Sequence, residues 1–288
     1  MKIAYLRSPN TTYYLQKTGF LDEVEVLKPY FAELGFQLVS VNWQDPKVDW
    51  QQFDFVIPKN AWDYFDCHDQ FTQWLDRMDQ AKIPVRNATE LIRWNSEKGY
   101  LLELQKKGAS IAPLTILQNE ETLFHALTEI KTNRVVVKPL VSGGGKQTDV
   151  FAKENRTAIQ TAVKAILKKG PALLQPYLEK VSQGEYSFFF FGGEFSHAVV
   201  KIPKPGDFRA HKLFGATMKA IKPSSEEIRM AANYLEHLPC QPHYARADVI
   251  LVKKSFFLIE LELIEPYLYL EYADTKAITS FVHTVSEN

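Results

Sequence analysis

Residues 244–266 read YARADVILVKKSFFLIELELIEP, two apolar runs on either side of Lys253-Lys254-Ser255. Those three residues suit a hairpin loop, which makes Ala245 to Val252 and Phe256 to Leu263 a pair of antiparallel strands. Pairing across the loop sets Asp248 opposite Glu260 and Arg246 opposite Glu262. Side chains alternate with period two along a strand, so all four project from one face, with Leu261 and Leu263 on the buried side. Carboxylates gathered in this way raise one another's pKa and cost stability unless something neutralises them. A hard divalent cation with oxygen ligands does so, and Mg²⁺, with Mn²⁺ as its substitute, is the expected partner of Asp248, Glu260 and Glu262. A solvated strand face carrying charge for solubility is the alternative reading.

Upstream, Val135-Val136-Val137-Lys138-Pro139 puts a lysine at the end of an apolar strand, ahead of the loop Ser142-Gly143-Gly144-Gly145-Lys146. Backbone N–H groups of consecutive glycines approach an anion without hindrance, and Lys138 would meet it as a point charge. No helix opens with lysine and hydroxyl after the glycines, which excludes a Walker A loop. A triple glycine by itself is also what a mobile turn looks like. In Leu173 to Leu178 an apolar strand runs into Pro176, which has no N–H. Free backbone groups around Gln175, Pro176, Tyr177 and Leu178 could pair with an adenine edge, or the strand simply ends there.

The run Phe188 to Phe191 reads as a fully buried strand. Of the seven histidines only His211 falls inside a candidate segment, where a general base and a solvated loop residue are both open readings. Trp62, Asp63 and Tyr64 either line a pocket or end a strand.

Around these motifs the elements alternate. Residues 2–7 and Gln37 to Val41 read as strands flanking a helix that carries Val24, Val26, Leu27, Tyr30, Phe31 and Leu34 and closes at Gly35. A strand at Asp54 to Pro58, a helix at Asp69 to Gln80 and a strand at Ile83 to Arg86 complete a largely parallel α/β unit. Asn87 to Gly108 reads as one helix leading out of it. Strands at Leu114 to Leu117, Arg134 to Pro139 and Ala172 to Gln175, with helices at Glu120 to Ile130 and Glu154 to Lys169, make a second unit. Tyr186 to Phe191, Glu194 to Lys201 and the hairpin make antiparallel strands, interrupted by a helix over Ser225 to His237. The expected division is 1–95, 96–180 and 181–288.

With 288 residues, 45% of them apolar, the chain can bury one large core or two or three modest layered units. Acidic and basic residues balance at 34 each, which gives no bulk attraction to nucleic acid or a membrane surface and points to small-molecule partners. Cys67 and Cys240 stand far apart, outside any disulfide or zinc pattern. The N-terminus enters a strand at once, without the apolar run of a signal peptide or membrane helix, so a cytoplasmic location is expected.

Taken in order, Lys98, Lys138, the glycine loop, Gln175 to Leu178, Glu185, Arg209, Asp248, Glu260 and Glu262 resemble the nucleotide site of the ATP-grasp superfamily. Arg93-Trp94-Asn95-Ser96-Glu97-Lys98-Gly99-Tyr100-Leu101 and Ile259 to Pro266 are similar to the branch with a glutathione-synthetase-type ATP-binding domain, and within it to the cycloserine-synthetase type, which cyclises a ureido-amino acid. The likeness runs from Asp54 to Leu270, and the first unit is compatible with a pre-ATP-grasp domain. It implies an ATP-grasp fold of the α/β class and a Mg²⁺- and ATP-dependent ligase, often a homodimer, joining a small carboxylate to a nucleophile through an acyl phosphate.

On that resemblance Lys98 and Lys138 would hold the α- and β-phosphates beneath Ser142, Gly143, Gly144 and Gly145. The backbone of Gln175, Pro176, Tyr177 and Leu178 would hold the adenine, Glu185 the ribose, and Asp248, Glu260 and Glu262 the metal ions. Arg209 and Lys212 would reach the γ-phosphate and the acyl phosphate, with Lys201 and Arg246 beside them. Segments 142–146 and 203–215 would close over the site and exclude water.

The sequence departs from its relatives in two places: Lys59 stands where they carry arginine ahead of Trp62-Asp63-Tyr64, and Gly215-Ala216 where they often carry paired glycines. A lysine cannot reproduce arginine's bidentate clamp on a carboxylate, so a Lys59 facing the substrate would change the preferred acid. A catalytically silent nucleotide-binding module and a kinase-like phosphotransferase are the alternatives.

Overall fold

The computed structural model describes residues 1–287. The chain opens with β1 (Lys2–Arg7), α1 (Thr11–Thr18), α2 (Glu23–Glu33), β2 (Gln37–Asn42), β3 (Phe55–Ile57) and α3 (His68–Ala81). The strands form a parallel sheet in the order β2-β1-β3. Ile3 and Tyr5 face Val24, Leu27 and Phe31 of α2, while Ala4 and Leu6 face Phe71, Trp74 and Leu75 of α3, so β1 is apolar on both sides. Asp22 caps α2 by accepting from the Val24 N–H, and the turn after it uses Gly35 at φ +78°. The expected strand at Ile83 to Arg86 is reduced to a single bridge between Val56 and Val85, since Pro84 brings no N–H to a ladder.

The expected helix over Asn87 to Gly108 is two, α4 (Thr89–Asn95) and α5 (Tyr100–Lys106). At the break the Lys98 N–H bonds to Leu140 O at 3.0 Å instead of continuing a helical ladder. Leu91, Tyr100, Leu101 and Leu104 pack against Phe188 and Phe190 of the third sheet.

Next come β4 (Thr115–Leu117), α6 (Leu123–Glu129), β5 (Arg134–Pro139), β6 (Asp149–Ala152), α7 (Arg156–Leu167) and β7 (Ala172–Pro176). The sheet is antiparallel in the order β4-β7-β5-β6, with α6 and α7 on one face. Val135 and Val137 enter that core, so the alternation of β5 turns Val136 and Lys138 to the opposite side, toward the cleft. The short strand β6 was not expected from the sequence.

A five-stranded antiparallel sheet follows, from β8 (Glu185–Phe191), β9 (Glu194–Ile202), β10 (Thr217–Ile221), α8 (Ser225–Ala232), β11 (Tyr244–Val252) and β12 (Ser255–Glu262), in the order β10-β9-β8-β11-β12. Phe188 and Phe190 pack on one face with α5 and α8, and Phe189 and Phe191 on the other with the core of the first sheet. A capping box of Ser224 and Glu227 starts α8, which ends at Ala232; the expected stretch to His237 gives only a separate turn, Leu235–His237. Finally α9 (Thr275–Ser286) returns to the first sheet, where Phe281, Val282 and Val285 join Ile3 and Tyr5. Among the described residues no helix is long and apolar enough to cross a membrane.

Candidate active site

The cleft between the four- and five-stranded sheets collects most of the expected site residues, and its floor is the β11–β12 hairpin. The loop there has two residues, Lys253 and Lys254, because Val252 pairs with Ser255. Carried along unchanged, that register would oppose Asp248 to Ile259 and turn Glu260 and Glu262 to the far face. A β-bulge beyond Val249 adds Ile259 to one strand and restores the expected partners, Asp248 with Glu260 and Arg246 with Glu262. Ile259 and Glu260, though consecutive, therefore both line the cleft. Asn95, at the end of α4, fixes this strand: its Nδ2 donates to Leu261 O at 2.7 Å and its Oδ1 accepts from the Leu263 N–H at 3.0 Å. Neither Asn95 nor Ser187, which donates to Asp248, was expected from the sequence, although alternation along β8 could have found Ser187.

The three carboxylates share a face but do not share a centre. Asp248, 2% exposed, accepts from Arg246 Nη2 at 2.8 Å, from Lys201 Nζ at 3.0 Å and from Ser187. Burial opposes its charge, yet Arg246 and Lys201 hold its carboxyl well below the usual range. Glu260 pairs through one oxygen with Lys98 at 3.0 Å, and Glu262 through one oxygen with Arg246. Burial disfavours both charges; Lys98 and Lys138 nevertheless hold Glu260 low, whereas Glu262 is pushed up to about 7. Among the described residues no three Asp, Glu, His or Cys side chains enclose a metal by themselves. Of the three, Asp248 is the one whose two oxygens both accept from protein donors, Arg246, Lys201 and Ser187. Glu260 and Glu262, each half-buried with a second oxygen that no protein group engages, fit Mg²⁺, which takes its remaining ligands from phosphate and water.

Lys138 lines the wall beside Lys98; burial, then its neighbour's charge, pushes its pKa down to about 8 against the pull of Glu260. Lys201 bridges Glu185 and Asp248. Because β4 ends opposite Leu174, the edge from Gln175 to Leu178 has no strand partner on that side. Gln175 is buried with its Nε2 unbonded, next to an apolar wall of Tyr177, Leu178, Val181, Ile250 and Ile259. Ser142, Gly143, Gly144 and Gly145 line the open side. A Cβ on Gly143 would sit 2.5 Å from the Phe65 ring, Lys146 pairs with Asp66 at 2.5 Å, and a Cβ on Gly145 would sit 3.2 Å from the Phe214 ring. The loop therefore touches both the first unit and the 203–215 segment.

Arg209 lines the cleft, held by two bonds to Asp207 with its guanidinium 3.5 Å over the Phe214 ring. Lys212 stands outside: its Nζ lies 3.4 Å from Gly19 O, over the Phe20 ring. His211 lines the cleft, but burial, then Lys201 and Arg246, lower its pKa to about 4, which makes it a weak base. Lys59 faces no substrate space. It is fully buried 3.3 Å from Glu23, a carboxylate that nothing in the sequence marked out from an ordinary first helical turn.

Across the floor from this cleft, a second chamber is walled by Tyr14, Phe20, Trp62, Tyr64, Tyr267 and Glu265. Trp62 and Tyr64 thus line a pocket, while Asp63 turns away to accept from Trp43 Nε1 at 2.9 Å.

Comparison with known proteins agrees with this geometry. Residues 98–266 match the family described as prokaryotic glutathione synthetase, ATP-grasp domain, and residues 3–87 match the N-terminal domain of the D-cycloserine synthetase DcsG. The cycloserine biosynthesis protein DcsG of Streptomyces lavendulae is 26% identical over 265 residues, covering 85% of this chain and 87% of that protein. A glutathione synthetase of Synechococcus elongatus is 26% identical over 165 residues, covering 56% of this chain and 49% of its own length; the chain spans about half of that relative. Among solved structures, D-cycloserine synthetase DcsG superimposes with a TM-score of 0.85 at 23% identity over 99% of both chains. The D-alanine–D-alanine ligase of Bacillus anthracis complexed with ATP superimposes with 0.71 at 13% identity, over 99% of this chain and 95% of that one.

Proposed function

Because the chain belongs to the prokaryotic glutathione-synthetase ATP-grasp family, and is an ATP-dependent ligase forming C–N bonds, we propose that it activates a small amino-acid-like carboxylate as an acyl phosphate and passes it to an amine or similar nucleophile. One observation carries this reading: Lys98, Lys138, Glu260 and Glu262 surround the same cleft as the glycine loop and the open strand edge at Gln175 to Leu178. Two lysines and a run of glycine N–H groups suit the phosphates of ATP, and the apolar wall with the unbonded Gln175 amide suits its adenine. Glu185 is the group for the ribose hydroxyls. Mg²⁺, held by Glu260 and Glu262, would neutralise charge on the transferred phosphoryl group.

Arg246, locked by Asp248, and Arg209, beside the glycine loop, add cations where that charge develops. Lys201 keeps Asp248 and Glu185 in place. A substrate carboxylate oxygen attacks the γ-phosphorus as the bond to ADP breaks; the nucleophile then attacks the acyl carbon, phosphate leaves and the nucleophile gives up a proton. Water would intercept the acyl phosphate, so the contacts of Gly143 with Phe65 and of Gly145 with Phe214 serve to close the site. The same reading places the enzyme in the cytoplasm, with small molecules as its partners.

The test is ADP release with Mg-ATP over a panel of amino, hydroxy and ureido-amino acids, with and without hydroxylamine. An acid that stimulates release and yields a hydroxamate, both lost in Glu260→Gln, supports the acyl phosphate. A stable phosphorylated product without hydroxamate would point to a phosphotransferase. Mg²⁺-dependent ATP binding that no acid turns into ADP release would favour a silent module.

A further inference from the structure

The second chamber shares Glu260, Glu262, Arg246 and the glycine loop with the ATP cleft but has walls of its own. Charges on the shared floor are matched. Arg246 is tied to Asp248, Glu262 and Tyr267 O, Lys201 to Asp248 and Glu185, and Glu260 to Lys98. Glu265 is the exception. It lines only the second chamber, and among the described residues no other residue pairs with its carboxylate or donates to it, although the residue is half-buried. Its backbone is pinned by the first unit, where Trp62 Nε1 donates to Glu265 O at 3.2 Å. Burial, then Glu262 and Glu260, push its carboxyl well above the usual range against the weaker pull of its own backbone N–H and of Lys59.

A withdrawn carboxylate is costly unless something pairs with it, and aromatic faces attract cations. Tyr14, Trp62 and Tyr64 line the same chamber as Glu265 and give it aromatic surface for the body of a ligand. We propose that the chamber binds the organic substrate of the ligase through a primary ammonium group paired with Glu265, which makes Glu265 the residue that selects an amine-bearing substrate. The inference rests on the ligase reading for the purpose of the chamber and adds to it the charge of the molecule that enters. A hydroxyl in place of the ammonium forfeits a charge-assisted hydrogen bond, a loss of roughly ten- to a hundredfold in affinity. The ammonium can belong to the acid that is activated or to a separate nucleophile.

The experiment titrates the full chain, with Mg²⁺ and a non-hydrolysable ATP analogue, with norleucine, n-hexylamine, 2-hydroxyhexanoate and n-hexanol. Binding is followed at the indole N–H resonance of Trp62, identified by its loss in Trp62→Phe. At least one amine should bind saturably, with its hydroxyl counterpart roughly ten- to a hundredfold weaker. Glu265→Gln should erase that preference while the ATP analogue binds as before. A preference for norleucine over hexylamine assigns the ammonium to the activated acid, and the reverse assigns it to the nucleophile. Equal binding of amine and alcohol by the unaltered protein, no binding of either amine, or a preference that survives in Glu265→Gln overturns the inference. So does a Glu265→Gln variant that loses Mg²⁺-dependent analogue binding instead, since Glu265 would then be a metal ligand. If the analogue fails to bind the unaltered protein, the ligase reading itself falls.

Discussion

Lys59 and Glu23 lie 3.3 Å apart with neither reaching solvent, and Glu23 also accepts from the Leu268 N–H at 2.6 Å. Removing one partner of a buried pair strands the other charge. Lys59→Met should therefore cost roughly 3–5 kcal/mol in urea unfolding, and adding Glu23→Gln, which keeps an acceptor for Leu268, should recover much of it. Burial, against the pull of Lys59, raises the Glu23 carboxyl from 4.5 to about 7. The folded protein then holds a proton that the unfolded chain releases, so this contribution to stability is present below pH 4.5 and is lost as the pH rises through 7. Unfolding at pH 5 and pH 7 should show the unaltered protein losing stability relative to Glu23→Gln as the pH rises; equal slopes for the two proteins would contradict it. The pair also gives Lys59 a place inside the first unit rather than in the cleft. Its counter-charge comes from α2, beyond the reach of any local motif.

Along β11 and β12, the opposition of Asp248 to Glu260 was legible in the sequence for a reason that does not survive inspection of the loop. The turn is one residue shorter than expected, and the bulge at Ile259 makes the strand one residue longer, so the two departures cancel. Nothing marks Ile259 as the extra residue, since an isoleucine fits a regular ladder equally well. The break between α4 and α5 was illegible because Asn95 and Lys98 find their partners, Leu261, Leu263 and Leu140, far along the chain. By contrast α9 carries its signal in the spacing of Ile278, Phe281, Val282 and Val285, yet the sequence reading missed it. The bulge has a consequence for binding, because it turns Ile259 into the apolar wall beside Gln175. Ile259→Ala should weaken ATP by roughly tenfold, about 1.4 kcal/mol, and leave inorganic triphosphate unaffected when both are titrated by calorimetry. An equal loss for both ligands would place the base elsewhere.

At the scale of the whole molecule, the glycine loop is where three parts of the chain meet: Phe65 and Asp66 from the first unit, Gly143 to Lys146 from the second, and Phe214 from the third. Gly143 has a backbone that alanine could adopt, but its Cβ would collide with the Phe65 ring. Gly143→Ala should lower kcat by roughly tenfold through an overpacked closed state, and Phe65→Ala in the same chain should restore most of the rate. Amide hydrogen exchange over Ser142 to Lys146 should slow when Mg-ATP is added, and unchanged exchange would argue against closure.

The packing of α9 on β1 and α2 adds a constraint of another kind. Ile3, Tyr5, Val24, Leu27 and Phe31, made early on the ribosome, share their core with Phe281, Val282 and Val285, made late. A nascent chain halted before Thr275 would carry a finished hairpin and a cleft, but also an uncovered apolar face on its first sheet. Such a chain would bind holdase chaperones and be open to proteases until α9 emerges, so the first sheet escapes quality control only when a helix made much later packs on it.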